Sequence, residues 1–215
     1  RYGWFDRVAG DHVVESYVLL DLTRLMIETN QWPLRPQLGE SWSPAPTTQD
    51  GLALNAADPM ESGKSLKLVE DMIAGLMSYD QKSLSSMGMK RFWTPQFQWY
   101  GPGGIGSARG HDDYERAHQG PFLKAFPDRI GGNHKCRIGE STYVASTGWP
   151  SLNATHFGDD WIGLPATGKR ITQRIMDFWR REDDMLVENW VFIDMVDLIS
   201  QFGIDLLPDH KRETK

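Results

Sequence analysis

Val187-Glu188-Asn189-Trp190-Val191-Phe192-Ile193-Asp194 has a second version earlier in the same chain, Val14-Glu15-Ser16-Tyr17-Val18-Leu19-Leu20-Asp21. The offset is a constant 173, from Glu15 to Glu188 and from Asp21 to Asp194. It holds upstream at Arg1/Arg174, Phe5/Phe178, Arg7/Arg180 and Asp11/Asp184, and downstream at Leu25/Leu198 and Leu34/Leu207. A gapless register over that span marks an internal duplication. Each copy reads as a strand hairpin followed by a short helix. In the first copy the strands are expected at Phe5–Arg7 and His12–Leu20, with Ala9-Gly10-Asp11 at the turn and a helix over Asp21–Asn30.

Outward from the duplication, the second copy has a long stretch before it and the first does not. Residues 1–36 are therefore expected to be the closing hairpin and tail helix of a first repeat. Residues 37–63, with Pro44, Pro46, Pro59, Gly39, Gly51 and Gly63 and no apolar period, read as a linker. Residues 64–208 form the complete domain, and 209–215 a tail.

Within 64–208, Leu66, Val69, Ile73 and Leu76 recur at spacings of three and four, which predicts an amphipathic helix ending near Tyr79. Asp80 caps a short helix with Leu84 and Met87. Phe97–Tyr100 reads as a strand, broken by Gly101-Pro102-Gly103-Gly104. A helix through Tyr114 and Ala117, interrupted at Pro121, runs to Phe126. Four strands follow at about 130–140, 142–157, 169–181 and 185–194, and a last helix over Val196–Phe202 stops at Gly203. Helices first and long strands after is an α+β plan: a curved, mixed, cone-shaped sheet packed by about three helices, with a pocket in the cone.

The composition narrows the function. A net charge of −6 with no basic run beyond Lys211-Arg212 argues against a nucleic-acid partner. No apolar run approaches a membrane span and no signal peptide is visible, so a cytoplasmic protein with no membrane partner is expected. A lone Cys136, read as a buried small hydrophobe, precludes an intrachain disulfide. Nine tryptophans suit a large core, an aromatic-lined pocket or a subunit interface. His111 and His118 share a helix face but no third ligand follows at a characteristic spacing, so no metal is expected. Gly101–Gly106 lacks the Lys-Ser/Thr pair of a phosphate loop and reads as a turn.

Three stretches carry a family resemblance: Trp99-Tyr100-Gly101-Pro102, Gly163-Leu164-Pro165-Ala166-Thr167-Gly168-Lys169, and Glu188–Asp194 followed by Gln201-Phe202-Gly203. Together they resemble the SnoaL-like polyketide cyclases of the nuclear-transport-factor-2-like (cystatin-like) superfamily, many of which end in Glu-His-Trp-Asp-x-x-Asp and then Gln-Leu-Gly. The resemblance implies an acid/base aspartate on the last strand and a histidine on its neighbour. Here those positions fall on Val191 and Asp177. The carboxylate has either moved one strand over or been lost together with cyclase activity; both readings stand.

Alternation along Arg170–Arg180 places Ile171, Gln173, Ile175, Asp177 and Trp179 on one face. Asp177 on that apolar face would have a raised pKa and serve as general base. Asn189, on the inward face with Val191 and Ile193, would donate to a carbonyl or enolate oxygen. His118 is a third candidate for the catalytic set. Trp99, Tyr100, His134, Trp149, Trp179 and Val191 are expected to line the substrate site. The reading is a cyclase- or isomerase-type enzyme, with lyase or hydrolase chemistry also open, acting without a cofactor on a small hydrophobic carbonyl compound. The alternative is a binding or dimerisation module of the same fold. Outward-facing Trp190, Phe192, Tyr17 and Leu19 predict sheet-to-sheet packing, as a homodimer or as a pseudo-dimer of the two repeats.

Overall fold

β1 (Tyr2–Ala9) and β2 (His12–Leu20) form an antiparallel hairpin, and α1 (Leu22–Glu28) follows directly. Asp21 starts α1 by accepting the Arg24 N–H at 3.2 Å, as a helix cap should. These observations come from a computed structural model that describes residues 1–49, 55–158 and 161–207. The expected tail at 209–215 and the middle of the linker lie outside the described residues.

α2 (Pro59–Met77) begins earlier than its apolar period suggested. Asp58 caps it through Met60 N–H at 2.9 Å, and Pro59 occupies the first turn, where its missing N–H is no loss. The helix therefore begins within residues 37–63, read above as linker. Asp80 precedes only 3₁₀ turns, at Leu84–Met87 and Met89–Arg91. β3 (Trp93–Tyr100) and the short β4 (Ser107–Arg109) come next.

α3 (Gly110–Tyr114) runs through a π turn (Glu115–Gln119) into α4 (Gly120–Ala125) without a break at Pro121. A proline inside a regular helix lacks its N–H and presses on the carbonyl four residues back. The wider π turn lies immediately before it.

β5 (Ile130–Gly131) and β6 (Cys136–Glu140) flank one edge of β7 (Tyr143–Thr155), which continues to β8 (Arg170–Glu182) and β9 (Met185–Ile193). The sheet order is β4-β3-β9-β8-β7-β5, antiparallel except for the β3–β9 pair. α5 (Met195–Phe202) closes the domain, with Asp194 as its cap and Gly203 at φ 98° ending it. Register shifts in β7 at Gly148/Leu152 and in β8 at Arg180/Arg181 mark bulges, which bend long strands.

The helices cover the concave face of this sheet and enclose the main core, built on Val69, Phe97, Leu123, Phe126, Leu186 and Leu198. A smaller core lies on the convex face, where Phe5 and Leu19 of the hairpin meet Tyr100, Met176, Trp190 and Phe192. Cys136, on the edge strand β6, is exposed rather than buried.

Candidate active site

The concave face leaves a cavity of about 420 Å³ between sheet and helices, lined mostly by apolar and aromatic side chains. β8 supplies one wall. Gln173, Ile175, Asp177 and Trp179 all line the cavity, because alternate residues of a strand share a face. β9 adds Asn189, Val191 and Ile193, with Val191 directly opposite Asp177 in the pairing. β3 adds Trp99. From the helical side come Met72, Tyr114, His118 and Phe122, and from the chain on either side of β5 come Arg129 and His134.

Asp177 has its side chain only 16% exposed, and burial raises its pKa to about 7, with the Asn189 amide opposing the rise. The water lost from around a carboxylate in such a wall is not replaced by an opposite charge. Among the described residues no lysine or arginine forms an ion pair with it. His134 Nε2 stands 3.8 Å from Asp177 Oδ2, beyond hydrogen-bond length. Burial, with Arg137 nearby, lowers the His134 pKa to about 4. Burial therefore outweighs their mutual attraction, and His134 stays neutral beside the carboxyl group.

His118 is stacked on Trp99, ring centroids 4.1 Å apart at 15°, and burial lowers its pKa to about 3. It is a neutral imidazole whose Nδ1 is buried without a hydrogen-bond partner. Tyr114, one turn earlier, packs on the same two rings at 5.4 Å each, and its hydroxyl pKa is pushed up by burial and then by Asp177. Asn189 gives an Nδ2 hydrogen to Phe178 O at 3.1 Å, so one of its two N–H groups is engaged. Trp179 Nε1 and both polar atoms of the Gln173 amide are buried and unpartnered.

Seven of the expected site residues thus share one cavity: Asp177, Asn189, His118, Trp99, His134, Trp179 and Val191. Tyr100 and Trp149 do not. Tyr100 follows Trp99 on a strand, so it points to the convex face, where its hydroxyl donates to Glu188 Oε1 at 2.9 Å. Trp149 is also on the convex side, edge-on to Tyr17 at 4.8 Å and under the Arg174 guanidinium. The same alternation that places Trp99 in the cavity excludes Tyr100. Tyr114 and Gln173 were missed as site residues. Tyr114 shares a helix face with His118 four residues on, and Gln173 shares the Asp177 face of β8, so both signals were present in the spacing.

A model of the SnoaL-like polyketide cyclase family matches residues 79–202. No match was found among curated proteins. Among solved structures, the chain is similar to AclR, a putative hydroxylase from Streptomyces galilaeus, at 26% identity and a TM-score of 0.51, over 66% of this chain and 97% of that one. It is similar in fold to a putative SnoaL-like polyketide cyclase from Jannaschia sp. CCS1, at 14% identity and a TM-score of 0.57, over 69% and 97%. An NTF2-like protein of unknown function from Burkholderia pseudomallei K96243 is similar in fold at 14% identity and a TM-score of 0.51, over 66% and 98%. The family match covers the strands and the π-turned helix that build the cavity, and this chain belongs to the SnoaL-like polyketide cyclase family.

Proposed function

We propose that this chain is a proton-transfer enzyme for a small hydrophobic carbonyl compound of polyketide type, with Asp177 as the base. One observation carries the reading: a carboxyl group with a pKa near 7, paired with no lysine or arginine among the described residues, in the wall of an apolar cavity that fits a ring-sized ligand. In the forward step the Asp177 carboxylate removes a proton from carbon alpha to a carbonyl. The carbonyl oxygen, becoming an enolate, accepts hydrogen bonds from N–H groups in the same wall, Asn189 and Trp179 foremost. The enolate carbon then attacks a second carbonyl in the substrate. The alkoxide formed takes the proton back from Asp177, so the base is restored and no outside reagent is consumed. For an isomerisation the proton returns to a different carbon instead.

The test is exchange of α-hydrogen for solvent deuterium in a small apolar ketone such as 2-tetralone, followed by NMR. The expected result is catalysed exchange that rises through about pH 7 and falls by roughly 10²–10⁴-fold in Asp177→Asn. Exchange unaffected by that substitution would overturn the assignment. A second reading, a binding module without turnover, is favoured by Val191 at the family's aspartate position. Saturable ketone binding with no exchange at any pH would decide for it.

A further inference from the structure

The duplication persists in three dimensions bond by bond. Asp21 N–H donates to Arg1 O at 3.1 Å, and its counterpart Asp194 N–H to Arg174 O at 3.0 Å. Arg1 pairs with Asp21 at 2.7 Å and Arg174 with Asp194 at 3.2 Å. Arg7 pairs with Glu15 at 2.8 Å and Arg180 with Glu188 at 2.5 Å. Both hairpins carry their bulge at the same place, Arg7/Val8 in one and Arg180/Arg181 in the other. Where the two copies meet, equivalent residues touch each other. The rings of Phe5 and Phe178 lie 5.4 Å apart, and Gly3 packs so closely on Met176 that a Cβ there would come 2.9 Å from its sulfur. Contact of a residue with its own equivalent is the signature of a two-fold axis.

The other face of the hairpin is uncovered. Tyr2, Trp4 and Leu20 are 60%, 54% and 56% exposed. Their counterparts, Ile175, Asp177 and Ile193, line the cavity of the complete domain. Leu25 on α1 is exposed, whereas Leu198, its counterpart on α5, is fully buried. The edges tell the same story. β8 and β9 are flanked by β7 and β3, but among the described residues β1 and β2 pair only with each other. Arg1 reaches across the axis to Tyr100 O and Gly101 O, while Arg174, its equivalent, has a side chain 41% exposed.

We propose that this face is the inner wall of a second cone. Its occupant is a body of the same fold, matching residues 59–168, carried by the same polypeptide ahead of Arg1, as the complete body stands ahead of Arg174. It would add strands to both hairpin edges and helices over Tyr2, Leu20 and Leu25. The loop equivalent to Gly101–Gly104 would lie against Arg174. Trp4 holds the place of Asp177, so the second cone would have an indole where the first has its carboxyl group, and it would support the first cone rather than repeat its chemistry.

The experiment places residues 58–173 directly before Arg1 of the 215-residue chain. Hydrogen exchange at β1 and β2 should slow by about tenfold or more relative to the parent, with a blue shift of Trp4 emission. A second fusion, with Tyr2→Ile, Trp4→Asp and Leu20→Ile, restores the inner face of the complete copy and guards against a packing mismatch. Hairpin amides that exchange at the parent rate in both fusions would overturn the proposal. In the unfused chain, Trp4→Thr with Leu20→Thr should move Tm by no more than about 2 °C, as at an open surface. A larger drop, or a parent dimer that these changes dissolve, would show that the face already has another occupant and would equally overturn it.

Discussion

Asp177 is where a single side chain decides the chemistry, and its pKa makes a stability prediction with a definite sign. An aspartate ionises near 3.9 in an unfolded chain and at about 7 here, so between those values the folded state holds the extra proton. Stability contributed by this residue therefore falls as pH rises from about 4 to 7 and levels off above. Asp177→Asn should stabilise the protein at pH 8 by on the order of a few kcal/mol, with no gain at pH 4. His118 and His134 work in the opposite sense. Their folded pKa values lie below the ordinary value, so their neutral forms lose stability as pH falls below about 6.5. Comparing the variant with the parent across pH by urea unfolding isolates the aspartate. Gln173 allows a second prediction. Its amide is buried in the cavity wall without a protein hydrogen-bond partner. Gln173→Leu should leave thermal stability equal or higher while weakening ketone binding by about tenfold, read by calorimetric titration.

At the level of elements, alternation along strands and spacing along helices did most of the positioning. β8 reads correctly as one face of polar and apolar residues together, which is why the side of Asp177 was legible. Tyr100 and Trp149 were assigned by residue type, and type does not say which face a strand residue takes. Tyr100 instead completes a buried arrangement with Glu188 and Arg180 on the convex side. The start of α2 was misplaced because Pro59 and Gly63 look like linker residues, although the Asp-Pro pair at Asp58-Pro59 is a helix-start signal. The two aspartate caps give a comparison between equivalent elements. Asp21 also pairs with Arg1 and accepts Gly103 N–H at 3.0 Å, all in a buried setting. Asp194 holds Arg174 in a more open one. Asp21→Ala should therefore cost roughly 2–4 kcal/mol and free α1 in hydrogen exchange, and Asp194→Ala about 1 kcal/mol.

Across the whole molecule, the convex face of the sheet depends on the hairpin. Phe5 and Leu19 cover Met176, Trp190 and Phe192, and Trp190 Nε1 donates to Pro44 O at 3.0 Å. Removing residues 1–30 would leave these aromatics in water, a contiguous patch of the kind that drives association. The truncated chain should sediment as a dimer or larger, and Trp190→Ser with Phe192→Ser should return it toward a monomer. A truncated chain that stays monomeric with Trp190 in place would show that the hairpin is not what keeps this face covered.

The α+β cone and most of its elements were legible in the sequence, because they rest on local periods and caps that need no knowledge of distant contacts; β4, three residues long, carries no such period. The sequence also settled which residues of β8 and β9 share a face, since a period of two is a property of the strand. The tertiary structure was needed to show that His118 lies flat on Trp99, that Tyr114 reaches the same cavity as Asp177, and that among the described residues no lysine or arginine pairs with that carboxyl group. Burial and the distance between residues far apart in the chain are set by how sheet, π turn and helices close on one another, and a carboxylate's pKa follows from that closure rather than from its neighbours in sequence.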